Sequence, residues 1–281
     1  MRSRHHHVEG DRVLSPSVRW SIAVSAFGLA TALIAGPVLA DDGAGIDPVS
    51  RVARLRELCH SGHAAPSSDP VEIIARHDKA LAACNTLIND HKLAGESLVA
   101  ALLDRADLLA PGTGAAYTRA LSDYDRVIAL APKMALAFWK RGKARLLYMR
   151  DLPRALIDLD TAIRLEPSQA EFFVTRASIQ ASLAEPAKAL ADLDRAIALS
   201  PRFEKAWTVR GLTHFNNGDT NRAITDFDEA IRLAPGADGN YRFRAAARRA
   251  AGHEAEAAAD EAKAEELSAD KAGEPAPVTR P

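Results

Sequence analysis

Three pairs of aspartates, Asp158 with Asp160, Asp192 with Asp194 and Asp226 with Asp228, come closest in this chain to acid–base chemistry. Two carboxylates can share general acid and base work when both reach one reacting group. A spacing of two places them on different faces of a helix, which favours a solvated face or ion pairing with arginines of neighbouring helices. Zinc would need Cys59, His60, His63 and Cys84 to close on one ion, and their spacing fits no closed ligand pattern well. Cys59-His60 is no haem-attachment motif, because Arg56 stands where its first cysteine belongs. His77, His91, His214 and His253 are scattered singly, and Asn216-Asn217-Gly218-Asp219 has the composition of a tight turn. With no nucleophile, base and charge-stabilising group converging, the expectation is a non-enzyme with no metal and no cofactor.

The two cysteines, Cys59 and Cys84, have a structural use instead. In an oxidising compartment they are expected to pair, although free thiols or a metal site near Cys59 and His63 stay as alternatives. A bridge would close a loop of about 26 residues, for which chain entropy gives about 3.5 kcal/mol. Residues 1–40 resemble an export signal: Arg2, Arg4, Arg12 and Arg19 precede an apolar run from Trp20 to Ala35, and Gly36-Pro37 breaks it. Val38-Leu39-Ala40 supplies small residues before a cleavage point, so a mature start at Asp41 in a periplasmic or secreted location is expected. The alternative is an uncleaved anchor, since Trp20 to Ala40 is long enough to span a bilayer. His5, His6 and His7 would leave with the signal.

The elements that position these residues are helices. The segment Arg154–Pro167 recurs as Lys188–Pro201 and Arg222–Pro235, and Ala155, Ala189, Ala223 and Ala257 fall at intervals of 34. Within the segment Ala223, Phe227, Ala230 and Ile231 share one helix face while Asp226, Asp228, Glu229 and Arg232 spread over the others. A proline closes each copy and opens the way to another helix. Ahead of each copy, Arg141-Gly142, Arg176-Ala177, Arg210-Gly211 and Arg244-Ala245 follow an aromatic residue, Phe138, Phe173, Trp207 or Tyr241. A ring and a small residue four positions on lie on one face, where the missing side chain admits a neighbouring helix. The rest of the composition is ordinary: 281 residues, 47% hydrophobic, 26% charged and 5% aromatic, with net charge −1. A chain so nearly neutral and so poor in stacking residues is not expected to bind nucleic acid.

This order of aromatic, Gly/Ala, Ala, Leu/Phe/Tyr, Ala and Pro resembles tetratricopeptide repeats. The resemblance implies an all-α solenoid of antiparallel helix pairs in a right-handed superhelix. The expected divisions are a signal peptide at 1–40, an N-terminal helix and loop at 41–70 and a degenerate half-repeat at 71–95. Repeats follow at 96–132 (divergent), 133–167, 168–201 and 202–235, then a degenerate cap at 236–268 and a disordered tail at 269–281. Departures from the pattern are arginine at 141, 176, 210 and 244, one extra residue before Ala155, and Glu261 in the slot held by Leu159, Leu193 and Phe227. The arginines are expected to meet some of the aspartates.

In the resembled family the first helix of each repeat faces a concave groove that binds peptides or partner proteins. Position by position, this places Trp139, Lys143 and Leu146, then Val174, Ser178 and Ala181, then Thr208, Leu212 and Phe215, and finally Arg242, Ala246 and Arg249, on the groove. Packing between helices is the competing use of Trp139 and Phe215. The positions with which chaperone-binding relatives grip a terminal carboxylate read Trp139, Lys143, Ser178 and Thr208, so that activity is not expected. The sequence thus leads to a noncatalytic interaction scaffold with a protein or peptide partner and no stable membrane insertion after signal cleavage. A homo-oligomer, an accessory subunit of an envelope enzyme or assembly machinery, and a small-molecule or metal binder at Cys59 and His63 are the alternatives.

Overall fold

Residues 48–62, 70–90 and 93–272 are described by a computed structural model, and all lie in the unit Asp42–Pro281. The signal-like segment 1–40, His63 and residues 273–281 fall outside the described residues. The three- and four-residue apolar periodicity emerges as twelve α-helices: α1 (Pro48–Ser61), α2 (Pro70–Asp90), α3 (Gly95–Leu109), α4 (Ala115–Leu130), α5 (Ala135–Ala144), α6 (Leu152–Leu165), α7 (Ala170–Ser182), α8 (Pro186–Leu199), α9 (Glu204–Asn216), α10 (Thr220–Leu233), α11 (Asp238–Ala250) and α12 (Glu254–Ala272). They pack as successive pairs, and the second helix of each pair also packs on the first helix of the next. First helices of adjacent pairs touch as well, α1 with α3, α7 with α9 and α9 with α11.

The repeated small and apolar residues form the seam of this stack. Ala155, Leu159 and Ala162 on α6, Ala189, Leu193 and Ala196 on α8, and Ala223, Phe227 and Ala230 on α10 are fully buried. Gly142 and Gly211 show why the first helices need a missing side chain: a Cβ on Gly211 would come within 2.6 Å of the Phe227 ring, and one on Gly142 would meet Leu159. Phe227 and Phe243 continue the packing into the last pair, ring centroids 5.9 Å apart.

In the last four pairs the turn between the two helices passes through a left-handed residue. Arg150, Ala184, Gly218 and Gly252 hold this slot with φ of 52°, 58°, 83° and 82°. In three of these turns a backbone N–H reaches back five residues, Glu185 to Gln180, Asp219 to His214 and His253 to Arg248. In the fourth, Asp151 reaches back six, to Arg145, because Arg145–Met149 forms a π-helical turn at the end of α5. The one extra residue of this repeat is absorbed there, so α6 keeps its register with α8 and α10.

At the amino-terminal end, α1 and α2 pack against each other over a cluster of Leu55, Cys59, Ala80, Ala83, Cys84 and Leu87, so the expected N-terminal helix and the helix of the half-repeat form a pair. α12 continues to Ala272, past the expected start of a disordered tail at 269, because Ser268-Ala269-Asp270-Lys271-Ala272 carries no helix breaker. Among the described residues, no helix is long and apolar enough to cross a membrane.

Candidate functional site

The aspartates find partners in a ladder of arginines. Arg141, Arg176, Arg210 and Arg244 each clamp an aspartate on the second helix of their own pair through two guanidinium nitrogens. Arg176 donates Nε and Nη2 to Asp192 at 2.8 and 2.7 Å, and Arg244 donates likewise to Asp260 at 2.9 and 2.6 Å. The third nitrogen, Nη1, reaches the preceding pair: Arg141 to Asp125 at 2.5 Å, Arg176 to Asp160 at 2.8 Å, Arg210 to Asp194 at 2.7 Å and Arg244 to Asp228 at 2.6 Å. Two members of an aspartate pair therefore serve different rungs. One, such as Asp226, is buried, and the other, such as Asp194, is 65% exposed.

Each guanidinium also lies over the aromatic ring three residues before it, from 4.8 Å for Arg210 over Trp207 to 5.8 Å for Arg141 over Phe138. Hydrogen bonds donated to Asp192 and Asp160 hold the Arg176 guanidinium above its ordinary pKa, against burial, which acts in the opposite direction. Arg105 begins the ladder with Asp123 at 2.7 Å through both nitrogens and uses Asn85 for its third bond. Sequence reading missed this rung because the turn after α3 is two residues longer, which sets Arg105 18 residues before Asp123 where Arg176 and Arg210 stand 16 before their aspartates. This is structural ion pairing, with no acid–base site in it.

The cysteines pair across the first two helices: Cys59 and Cys84 form a disulfide with Cα atoms 4.9 Å apart. His60 points to Asp104, Nδ1 to Oδ1 3.4 Å. With both sulfurs engaged in this bond, the metal reading at Cys59 and His63 loses its thiolate. Among the described residues no cluster of three or more His, Cys, Asp or Glu side chains is placed to hold a metal ion.

The residues assigned to the groove differ in their surroundings. Trp139 and Val174 are buried, so packing between helices, the competing use weighed for Trp139, engages both. Trp139 donates its indole N–H to Thr175 Oγ1 at 2.9 Å and stacks on Phe172, so it joins α5 to α7. Val174 belongs to the core between α7 and α8, because α7 turns its apolar side inward there. Arg242 and Arg249 turn to α12, meeting Ser268 Oγ at 2.9 Å and Glu261 Oε1 at 2.8 Å. Thr208 donates within a side-chain group with Glu204 and Asn240. Lys143, Leu146, Ser178, Ala181, Leu212, Phe215 and Ala246 are half-buried along the first helices.

A cavity of about 180 Å³ is lined by Asp107, Tyr124, Trp139, Lys140, Lys143, Leu147 and Tyr148. Asp107 is fully engaged, accepting from Tyr124 Oη at 2.5 Å and from the Lys140 ammonium. Lys143 lies 4.6 Å over the Trp139 ring and only loosely against Glu171, at 3.9 Å. Burial pulls its pKa below the ordinary lysine value, with Lys205 and Lys140 adding to the effect and Glu171 opposing it. Burial, reinforced by Asp107, raises the Tyr124 phenol well above its ordinary range. Leu147 and Tyr148, 54% and 41% exposed, come from the π turn and were not anticipated; the one-residue excess over the repeat was their signal in the sequence.

A model of the tetratricopeptide repeat matches residues 204–237, which cover α9 and α10 and the turn that follows. The chain folds as a tetratricopeptide-repeat solenoid. Among solved structures, a crystal structure of MamA is 26% identical with a TM-score of 0.50, covering 56% of this chain and 91% of that one. A tetratricopeptide repeat protein from Parabacteroides merdae is 19% identical with a TM-score of 0.59, covering 79% of this chain and 80% of that one. A thermophilic tetratricopeptide-repeat protein of Thermus thermophilus is 20% identical with a TM-score of 0.53, covering 70% and 98% respectively. The last two likenesses concern the fold alone. No curated protein matches the chain. Solenoids of this kind serve as scaffolds for proteins and peptides through the face that stacked repeats present.

Proposed function

We propose that this protein is an exported, noncatalytic scaffold that binds a peptide segment of a partner protein along the face formed by α5, α7 and α9. One observation carries the reading. The residues that recur between repeats are consumed by the seam and the arginine ladder, whereas Lys143, Ser178 and Leu212, at equivalent positions on successive first helices, differ and stay half-exposed. A surface varied in this way on a regular frame suits recognition of an irregular partner.

The test is selection from a displayed library of random heptapeptides, with the bound peptides mapped by amide chemical shifts. Shifts confined to α5, α7 and α9, abolished by Lys143→Glu with Ser178→Trp in a protein of unchanged helicity, are expected. Peptides that settle on the exposed sides of α6, α8 and α10 would reject this face.

Export rests on residues 1–40 and is supported by the Cys59–Cys84 pair, which suits an oxidising compartment. N-terminal sequencing of the protein recovered from the envelope of an expressing bacterium is expected to begin at Asp41. Recovery of the intact amino terminus in the membrane fraction would favour the anchored alternative.

A further inference from the structure

The π turn coincides with the cavity. Equivalent turns in the later pairs run eight residues from the ladder arginine to the left-handed slot, Arg176 to Ala184, Arg210 to Gly218 and Arg244 to Gly252; here the span from Arg141 to Arg150 is one longer. The extra residue was kept inside a helix, where it widens the backbone and presents Leu147 and Tyr148 beside Lys143. Single-turn π bulges inside α-helices are found frequently at functional sites.

The polar groups around the cavity are unevenly satisfied. Lys140 and Tyr124 share Asp107, so neither ammonium nor carboxylate of that set is in want of a partner. Lys143 is different: its cation is partly desolvated against Trp139, close to the charges of Lys140 and Lys205, with Glu171 at 3.9 Å as its nearest carboxylate. A partly dehydrated cation beside exposed apolar groups is complementary to an anion that carries apolar neighbours. Of the two lysines that line the cavity, Lys140 is committed to Asp107 and Lys143 is not, which suits one side-chain carboxylate better than a chain terminus held by several donors.

We propose that the cavity at the π turn is an anchoring subsite for a glutamate or aspartate side chain flanked by aromatic or large aliphatic residues in an extended peptide. The carboxylate sits on Lys143, and the flanking side chains lie on Leu147 and Tyr148. This deepens, and rests on, the peptide-binding reading of the face.

The probes are the blocked peptide acetyl-Gly-Phe-Glu-Phe-Gly-amide and its counterparts with Gln or Lys at the centre. They are titrated at low ionic strength while the Leu147 methyl groups and the Trp139 indole N–H are followed by NMR. Saturable shifts with the Glu peptide are expected, with binding at least tenfold weaker for the Gln peptide and for the Lys143→Met protein. Glu171→Gln is expected to tighten the Glu peptide severalfold, because it removes the competing carboxylate. Deleting Tyr148 restores the 34-residue interval, and it is expected to keep helicity and melting while abolishing binding. The proposal is overturned if the Gln or Lys peptide binds as tightly, if Lys143→Met or the deletion leaves affinity unchanged in a folded protein, or if the Glu peptide gives no saturable shift. Library peptides that bind α7 and α9 without regard to Lys143 would overturn the anchor and leave the broader reading standing.

Discussion

At the scale of the residue, the ladder separates two kinds of carboxylate that look alike in the sequence. Asp226 has a side chain 4% exposed and receives Arg210 twice, whereas Asp194 receives the same arginine once at 65% exposure. Removing one partner of a buried pair leaves an uncompensated charge, and an exposed pair contributes little. We predict that Asp226→Ala lowers unfolding free energy by about 3 kcal/mol and Asp194→Ala by less than ~1 kcal/mol, read from urea denaturation. Comparable losses would show that the two bonds are equivalent.

The phenols provide a pH test at the same scale. Burial raises the pKa of Tyr117, Tyr124 and Tyr148, assisted by nearby Asp107 for the last two. A phenol whose folded pKa exceeds its unfolded value stabilises the fold below the unfolded pKa of about 10 and loses that contribution as pH rises through the folded value. Ultraviolet titration of the native protein is therefore expected to show these phenols ionising above pH 10, with stability falling over the same interval. Normal titration of all phenols while the helices persist would contradict the burial argument.

Element-scale predictions come from the turns and the seam. The left-handed slot is filled by glycine at 218 and 252 but by Ala184 and Arg150 in the two preceding pairs. A non-glycine residue there costs about 1–2 kcal/mol. Ala184→Gly is expected to recover up to ~1 kcal/mol after the entropy cost of glycine in the unfolded chain, visible as a raised melting temperature. The seam predicts the opposite for Gly211→Ala, whose new methyl would press on Phe227; overpacking of this kind costs about 1–3 kcal/mol. Adding Phe227→Leu reproduces the pairing already present at Ala177 and Leu193, so the double variant is expected to be more stable than Gly211→Ala alone. A strictly additive double-mutant cycle would remove the seam explanation.

At the scale of the whole molecule, each helix pair within the described unit touches its neighbours, and local contacts dominate. A stack of this kind unfolds according to the strength of its links. The disulfide joins α1 only to α2, and its chain-entropy contribution is about 3.5 kcal/mol. Reduction is expected to release amide protection in α1 and α2 while α9 and α10 exchange at unchanged rates, measured by hydrogen exchange with mass spectrometry. Uniform loss of protection would show that the ladder binds all pairs into one cooperative unit.

Much of the fold was legible in the sequence because 34-residue spacing and helical periodicity are properties of the chain itself: Ala155, Ala189 and Ala223 mark the seam without reference to any coordinate. The glycine of the turn at 218 and the extra residue before Ala155 were visible as well. Which residues of the first helices stay open was not, because helix periodicity assigns a side chain to a face and cannot say whether a neighbouring helix covers it. Trp139 and Val174 are covered by the packing around α7, while Lys143 remains at the edge. The aspartates make the same point: a spacing of two identifies different faces, but only the approach of successive pairs puts a buried Asp and an exposed Asp within reach of one guanidinium. Tertiary packing also turned one surplus residue into a π turn, because the left-handed slot at Arg150 and the seam of α6 hold their places and leave the helix end as the part that yields.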